Sequence, residues 1–259
     1  MKILGYGILV SIALAALFYG FNTFIYTEKQ GDATMRTGTP QVQVLPLEHA
    51  TAVILFDEVV IYIDPTGGPE AFVGQPSADL ILLTDIHGDH LDPETLAAVL
   101  GEATLIAPQS VIDALPDELA TRALLLGNGE VTTALDFEIT GVPMYNLPGA
   151  NEQFHEKGRG NGYILERDGY RLYLAGDTAG TPEMRALADI DLALIPMNLP
   201  YTMSVAEAAE AVLAFSTKEV VPYHYRNQDK TLADVLHFKE LVEARTSEIR
   251  VTLLPWYPS

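Results

Sequence analysis

The chain is predicted to fold as an α/β domain, and the order of its apolar runs carries that prediction. Between Gln41 and Ile63, short β-rich runs follow one another with no helical period between them. Further along, apolar strand-like runs alternate with helical patterns, as strand–helix units do. A hydrophobic content of 48% over 259 residues is enough to fill one large core.

The first stretch stands apart from that domain. Ile3 to Tyr26 is an apolar run broken by Ser11, Asn22 and Thr23. About 20 such residues cross a bilayer as a helix, so residues 1–26 are expected to form a transmembrane anchor, N-inside because of Lys2. Cleavage at Ala13-Leu14-Ala15 would leave Leu17, Phe18, Tyr19, Phe21, Phe24 and Ile25 on the mature end, which favours an anchor over a signal segment. The soluble part is then expected on the periplasmic side of the membrane, or secreted if the segment is cut. Residues 27–40 are polar and carry Gly31 and Gly38, and read as a linker. The domain is expected over 41–259.

Gln41 to Leu45 alternates and reads as a strand. Ala52 to Phe56 and Val59 to Ile63 flank Asp57-Glu58 as a hairpin, and the second run ends at Asp64-Pro65. Leu80 to Leu83 is too short and too apolar for a helix and reads as a buried strand. Asp92 suits an N-cap and Pro93 a first helical position, for a helix through Leu100. Strands are expected at Ala103 to Ala107, Ala123 to Leu126, Val131 to Ala134, Phe137 to Val142, Leu192 to Ile195, Val220 to Tyr223 and Ile249 to Leu254. A second hairpin joins Gly162 to Glu166 with Tyr170 to Ala175 around Asp168-Gly169. Helices are expected at Gln109 to Leu115, Pro182 to Ala188, Val205 to Phe215 and Thr231 to Arg245.

Composition narrows the chemistry. There is no cysteine, which excludes disulfides, thiolate nucleophiles and cysteine-ligated zinc. Lys and Arg total 15 against 35 Asp and Glu, a net charge of −20, which repels nucleic acid and attracts cations. Two of the 6 histidines then fall in one loop, Thr84-Asp85-Ile86-His87-Gly88-Asp89-His90, directly after the apolar run. Imidazoles and carboxylates packed this closely repel or stay unpaired without a cation.

This run resembles the His-x-His-x-Asp-His signature of the metallo-β-lactamase-fold hydrolases, with Asp85 in place of the first histidine. His49, in Glu48-His49-Ala50, is similar to the start of the branch holding L-ascorbate-6-phosphate lactonase and N-acyl-phosphatidylethanolamine phospholipase D. Lys157-Gly158-Arg159-Gly160-Asn161-Gly162 and Pro196-Met197-Asn198-Leu199-Pro200-Tyr201 also look like that branch. The glycine-rich stretch precedes a strand, so it reads as a tight turn holding His155 and not as a phosphate cradle.

The resemblance implies a four-layer αβ/βα sandwich with a metal site on one edge of its two sheets. It implies two divalent cations, zinc first, with manganese or iron as alternatives. One cation would be held by Asp85, His87 and His155, the other by Asp89, His90 and His224, with Asp177 of Gly176-Asp177-Thr178 between them. The implied activity is hydrolysis of an ester, lactone, amide or phosphodiester by a metal-bound hydroxide that Asp89 orients. Its substrate would be a small molecule, or a lipid-derived one given the anchor. Asp64 and His49 are expected behind the ligands, with turn-opening and structural roles as their alternatives. Asn198 and Tyr201 are expected near substrate, with loop formation as theirs. Tyr145, Asn146, Tyr223 and Tyr225 carry the same two readings, and His237 is given no role. A non-catalytic, membrane-anchored metal- or ligand-binding protein with a decayed site is the competing reading, and Asp85 is its support. Nucleic-acid processing on the same fold is set against the charge.

Overall fold

Two β-sheets pack face to face, and helices cover the outer face of each. The computed structural model describes residues 39–149 and 151–257. The expected anchor over 1–26 and nearly all of the linker lie outside the described residues, among which no helix is long and apolar enough to cross a membrane.

The first sheet runs in the order β1 (Val42–Glu48), β2 (Thr51–Phe56), β3 (Val59–Ile63), β4 (Leu80–Leu82), β5 (Thr104–Ala107) and β6 (Ala123–Leu125). The pairs from β3 to β6 are parallel. The alternation of strand side chains explains the layers. Ile54, Phe56, Ile61, Ile63, Leu80, Leu82 and Ile106 point into a core shared with the second sheet. Their neighbours Val53, Val60, Tyr62, Ile81 and Leu105 point the other way, against the first helical layer. That layer is α1 (Pro93–Val99), α2 (Gln109–Ala114) and α3 (Asp117–Ala120). Strand β4 is paired on both edges and covered on both faces, which is why it is apolar throughout.

The second sheet contains β7 (Val131–Ala134), β8 (Phe137–Met144), β9 (Gly160–Arg167), β10 (Tyr170–Leu174), β11 (Leu192–Pro196), β12 (Glu219–Tyr223) and β13 (Arg250–Val251), in reverse order across the sheet. Its outer layer is α4 (Pro182–Arg185), α5 (Val205–Phe215) and α6 (Val235–Glu243). Helix α5 opens on a capping box formed by Ser204 and Glu207. Its buried face, Ala208, Ala209, Ala211, Val212 and Phe215, joins the shared core.

Several elements differ from the sequence reading. Strand β1 runs on to Glu48 because its pairing with β2 continues past an irregularity between Pro46 and Glu48. Helix α3 was not expected. Helix α6 starts at Val235, where the Asp234 carboxylate accepts from the His237 N–H, while Leu232 bridges to Arg226 instead of opening the helix. The last strand is confined to Arg250–Val251. Beyond it the chain leaves the sheet, and Trp256 buries itself against Tyr223, ring centroids 5.6 Å apart.

Candidate metal centre

The parallel strands of both sheets end at one edge, where layered α/β folds gather their functional loops. In the first sheet β3 delivers Asp64 there, and β4 delivers the run from Thr84 to His90. In the second, β10 delivers Asp177, β11 Asn198 and β12 His224. The connection from β8 to β9 adds His155, and the turn from β1 to β2 adds His49.

Hydrogen bonds to Asp64 fix the loop after β4. Its Oδ1 accepts from the Thr84 N–H (2.7 Å), and its Oδ2 from the Thr84 hydroxyl (2.6 Å) and His90 Nδ1 (2.8 Å). The His90 and Leu91 N–H groups turn back onto the His87 carbonyl (2.9 and 2.8 Å). Gly88 has no left-handed backbone, so this bonding and not glycine freedom makes the turn. Asp92 then caps α1 as expected, accepting from the Glu94 and Thr95 N–H groups. From across the sheets the Tyr163 hydroxyl donates to the Leu83 carbonyl (2.6 Å).

The ligand-bearing side chains fall into overlapping groups. Asp85, His87 and His155 form one, His90, Asp177 and His224 a second, and His49, Asp89 and His224 a third, each with ligand atoms within 4.8 Å of one another. Asp177 reaches two of these groups. Its Oδ2 lies 3.3 Å from His155 Nε2 and 3.4 Å from His90 Nε2, and its Oδ1 lies 3.3 Å from His224 Nε2. The close approach of Gly176 to Met144 makes room for this turn: a Cβ there, at φ +66°, would sit 2.4 Å from the Met144 sulfur.

The donor atoms fit dications. His90 Nε2 and His224 Nε2 face each other at 3.1 Å. His155 Nε2 and Asp177 Oδ1 are buried with no hydrogen-bond partner, which in a native core calls for an ion or a water. The far nitrogens explain the orientation. His90 Nδ1 donates to Asp64, and His155 Nδ1 donates to the Tyr201 carbonyl (3.1 Å), leaving each Nε2 as the ligand atom. Tyr201 therefore serves the site through its backbone. Asn146 supports the same carbonyl (2.8 Å).

Charge is concentrated here. Burial raises the Asp177 carboxyl, but His224 and His90 outweigh it and hold it well below the usual carboxylate range. Burial likewise raises Asp89, and the bonds from His224 and His49 overcome it and keep it ionised. Burial lowers His49, so its imidazole stays neutral near pH 7. His49 Nε2 lies 3.3 Å from Asp89 Oδ2, and its Nδ1 shares a 2.6 Å hydrogen bond with the Tyr257 hydroxyl. His49, Asp64 and His224 all adopt left-handed backbone, with φ of 52°, 44° and 48°.

His49, His87, Asp89, His155 and Asp177 open on one cavity of ≈ 400 Å³, which Asn198, Tyr201, Arg226 and Lys230 also line. The Asn198 Oδ1 is taken by the Thr202 hydroxyl (2.5 Å), which fixes the amide at the cavity wall. A larger depression, of ≈ 580 Å³, lies at the other end of β9 and contains none of the ligands.

Sequence reasoning missed three participants. Arg159 forms a two-pronged ion pair with Asp85, Tyr257 holds His49, and Thr84 links Asp64 to the loop. For Arg159 a signal existed: an extra carboxylate among the ligands calls for a cation nearby. His237 is exposed, beside Glu240 at 3.5 Å and away from the site.

Comparison with known proteins agrees with this geometry. A family model described as a beta-lactamase superfamily domain matches residues 43–224. The UPF0173 metal-dependent hydrolase of Thermococcus onnurineus is 33% identical over 216 residues, covering 78% of this chain and 92% of that protein. That of Pyrococcus furiosus is 34% identical over 211 residues with the same coverage. Among solved structures, a protein from Parabacteroides distasonis titled as a metal-dependent hydrolase is 35% identical, with a TM-score of 0.73 over 86% of this chain and 97% of its own. Igni18, a metallo hydrolase of Ignicoccus hospitalis, is 23% identical with a TM-score of 0.69, covering 82% of this chain and 94% of its own, and shares the fold. The fold, the ligand groups and these relatives together make the chain a member of the metallo-β-lactamase superfamily, among its metal-dependent hydrolases.

Proposed function

We propose that the chain hydrolyses an ester, lactone, amide or phosphodiester at a site holding two divalent cations. The carrying observation is Asp177, a buried carboxylate within 3.4 Å of imidazoles from both ligand groups. Asp85, His87 and His155 would hold one cation, and Asp89, His90 and His224 the other, with Asp177 between them. The imidazoles favour zinc, and the carboxylates keep manganese and iron in competition. When bound, the cations polarise the scissile carbonyl or phosphoryl oxygen and acidify water.

The chain's own residues supply the rest. Asp89 is kept ionised and its side chain is 42% exposed beside the cavity, so it can accept a hydrogen bond from the attacking water and orient it. His49, neutral and tied to Tyr257, holds Asp89 from behind. Asn198 and Tyr201 line the cavity wall, where a bound substrate would meet them. Lys230, and Arg226 with its ion pair to Glu48 at 3.4 Å, bring positive charge to the cavity of a chain of net −20, which would favour substrates with an acidic group near the scissile bond. The run Ile3 to Tyr26 holds the domain at the outer face of a membrane, which membrane fractionation of the full chain tests; recovery in the soluble fraction would remove that part.

A panel of neutral and anionic esters, lactones and phosphodiesters, run separately with zinc and manganese, tests the activity. Asp177→Asn should lower turnover of any responsive substrate by more than about 100-fold, beyond the usual contribution of an outer partner. A well-folded wild-type protein that takes up no metal would sink the reading.

A further inference from the structure

The Asp85 carboxylate is fully buried and held by Arg159. Arg159 Nε donates to its Oδ1 (3.1 Å) and Nη2 to its Oδ2 (3.0 Å). The same Nη2 donates to the Phe154 carbonyl (2.5 Å) and lies 3.5 Å from His87 Nε2. His87 Nδ1 is 2.7 Å and His155 Nε2 3.8 Å from the same Oδ2. One carboxylate thus meets a guanidinium and two candidate ligand nitrogens.

The chain is built to deliver that guanidinium. The Arg159 carbonyl accepts from the Ser110 hydroxyl (2.6 Å). The next residue is Gly160, where a Cβ would fall 2.2 Å from Met144 Cε and 2.8 Å from the Thr84 carbonyl. Only glycine lets β9 begin this close to the ligand loop, and the Asn161 N–H then donates to the same Thr84 carbonyl (3.0 Å). The glycine-rich turn therefore positions Arg159 as well as His155.

A neutral histidine in position 85 would need no counter-charge. Aspartate there adds a full negative charge to a buried site, and Arg159 cancels it. We propose that Asp85 and Arg159 act as one unit, a charge-neutral oxygen ligand in place of the first histidine, through which Arg159 sets how tightly the first cation is held. A carboxylate oxygen has two acceptor sites, so Oδ2 can take the guanidinium proton on one and a cation on the other. The proposal rests on the two-cation reading above and concerns only its first position.

The test is a metal titration of the full chain, stripped with chelator, with zinc and manganese competed against a chromophoric chelator. Arg159→Met keeps the alkyl stem and deletes the charge. It should tighten the Kd of the Asp85 position about tenfold, since like charges beside one carboxylate outweigh lost orientation, and leave that of the His90 position within about twofold. Asp85→His leaves the guanidinium without its carboxylate beside a cation, and should weaken the first position about 100-fold. The double variant should return to within about tenfold of wild type, a coupling that independent residues would not show. An unchanged Kd at the Asp85 position in Arg159→Met, or a double variant as weak there as Asp85→His, overturns the unit while leaving two-cation binding intact. A wild-type chain that binds fewer than two cations overturns both. If Asp85→His fails to fold by circular dichroism, Arg159→Met alone decides.

Discussion

Asp177 lies within 3.4 Å of imidazoles from both ligand groups, which are otherwise built differently. His90, Asp177 and His224 are all buried, and Asp64 orients His90 from behind. Asp89 adds a second negative charge beside this group. In the group of Asp85, His87 and His155, the carboxylate is neutralised by Arg159 and the His87 side chain is 41% exposed. Charge and rigidity both favour the first of these groups, so it should fill first and the Asp85 group second. Such a site would have one resident cation and one exchangeable position.

Asp177→Asn should have the largest effect, because it removes the charge common to both groups. Metal analysis should find less than about one ion per chain. Retention of two would mean the groups do not depend on each other. Asp64→Asn comes next and separates the two. It should weaken the tighter position about 10- to 100-fold, as loss of an outer partner does, and spare the other. A loss at both positions would erase the proposed order. His87→Ala should empty the Asp85 group alone and change the stability of the metal-free chain by no more than about 0.5 kcal/mol, which thermal unfolding without metal measures. The smallest effect is expected from Tyr257→Phe. It removes one bond to His49 and should slow turnover by the equivalent of about 0.5–1.5 kcal/mol without changing metal content. Metal loss in that variant would make His49 a ligand.

How much of this was legible depended on where each residue's partner lay. Strand β4 could be read because a strand flanked on every side must be apolar along its whole length. The cap of α1 could be read because Asp92 and its acceptor role are three residues wide. Asp177 and His224 were visible as ligand types after strands and His155 as one in a loop, and the structure draws them into groups with the loop after β4. Arg159 was not visible, since its partner is 74 residues away and a glycine-rich turn does not say what its side chains meet. Tyr257 reaches His49 across 208 residues, beyond any local pattern. The short final strand and the late start of α6 have the same cause: the chain there follows Tyr223 and Arg226, not its own propensity.

The left-handed backbone at His49 and His224 has a consequence for laboratory evolution. Such a conformation costs a side-chain-bearing residue roughly 1–3 kcal/mol, and glycine or asparagine far less. His49, the half-buried one of the two, occupies a place where glycine or asparagine would relieve that cost, whereas His224 is fully buried. A library selected for survival of heating alone, with no demand for turnover, should therefore replace His49 before His224. Heat selection would then mark, by what it discards, the positions where the chain has given up endurance for chemistry.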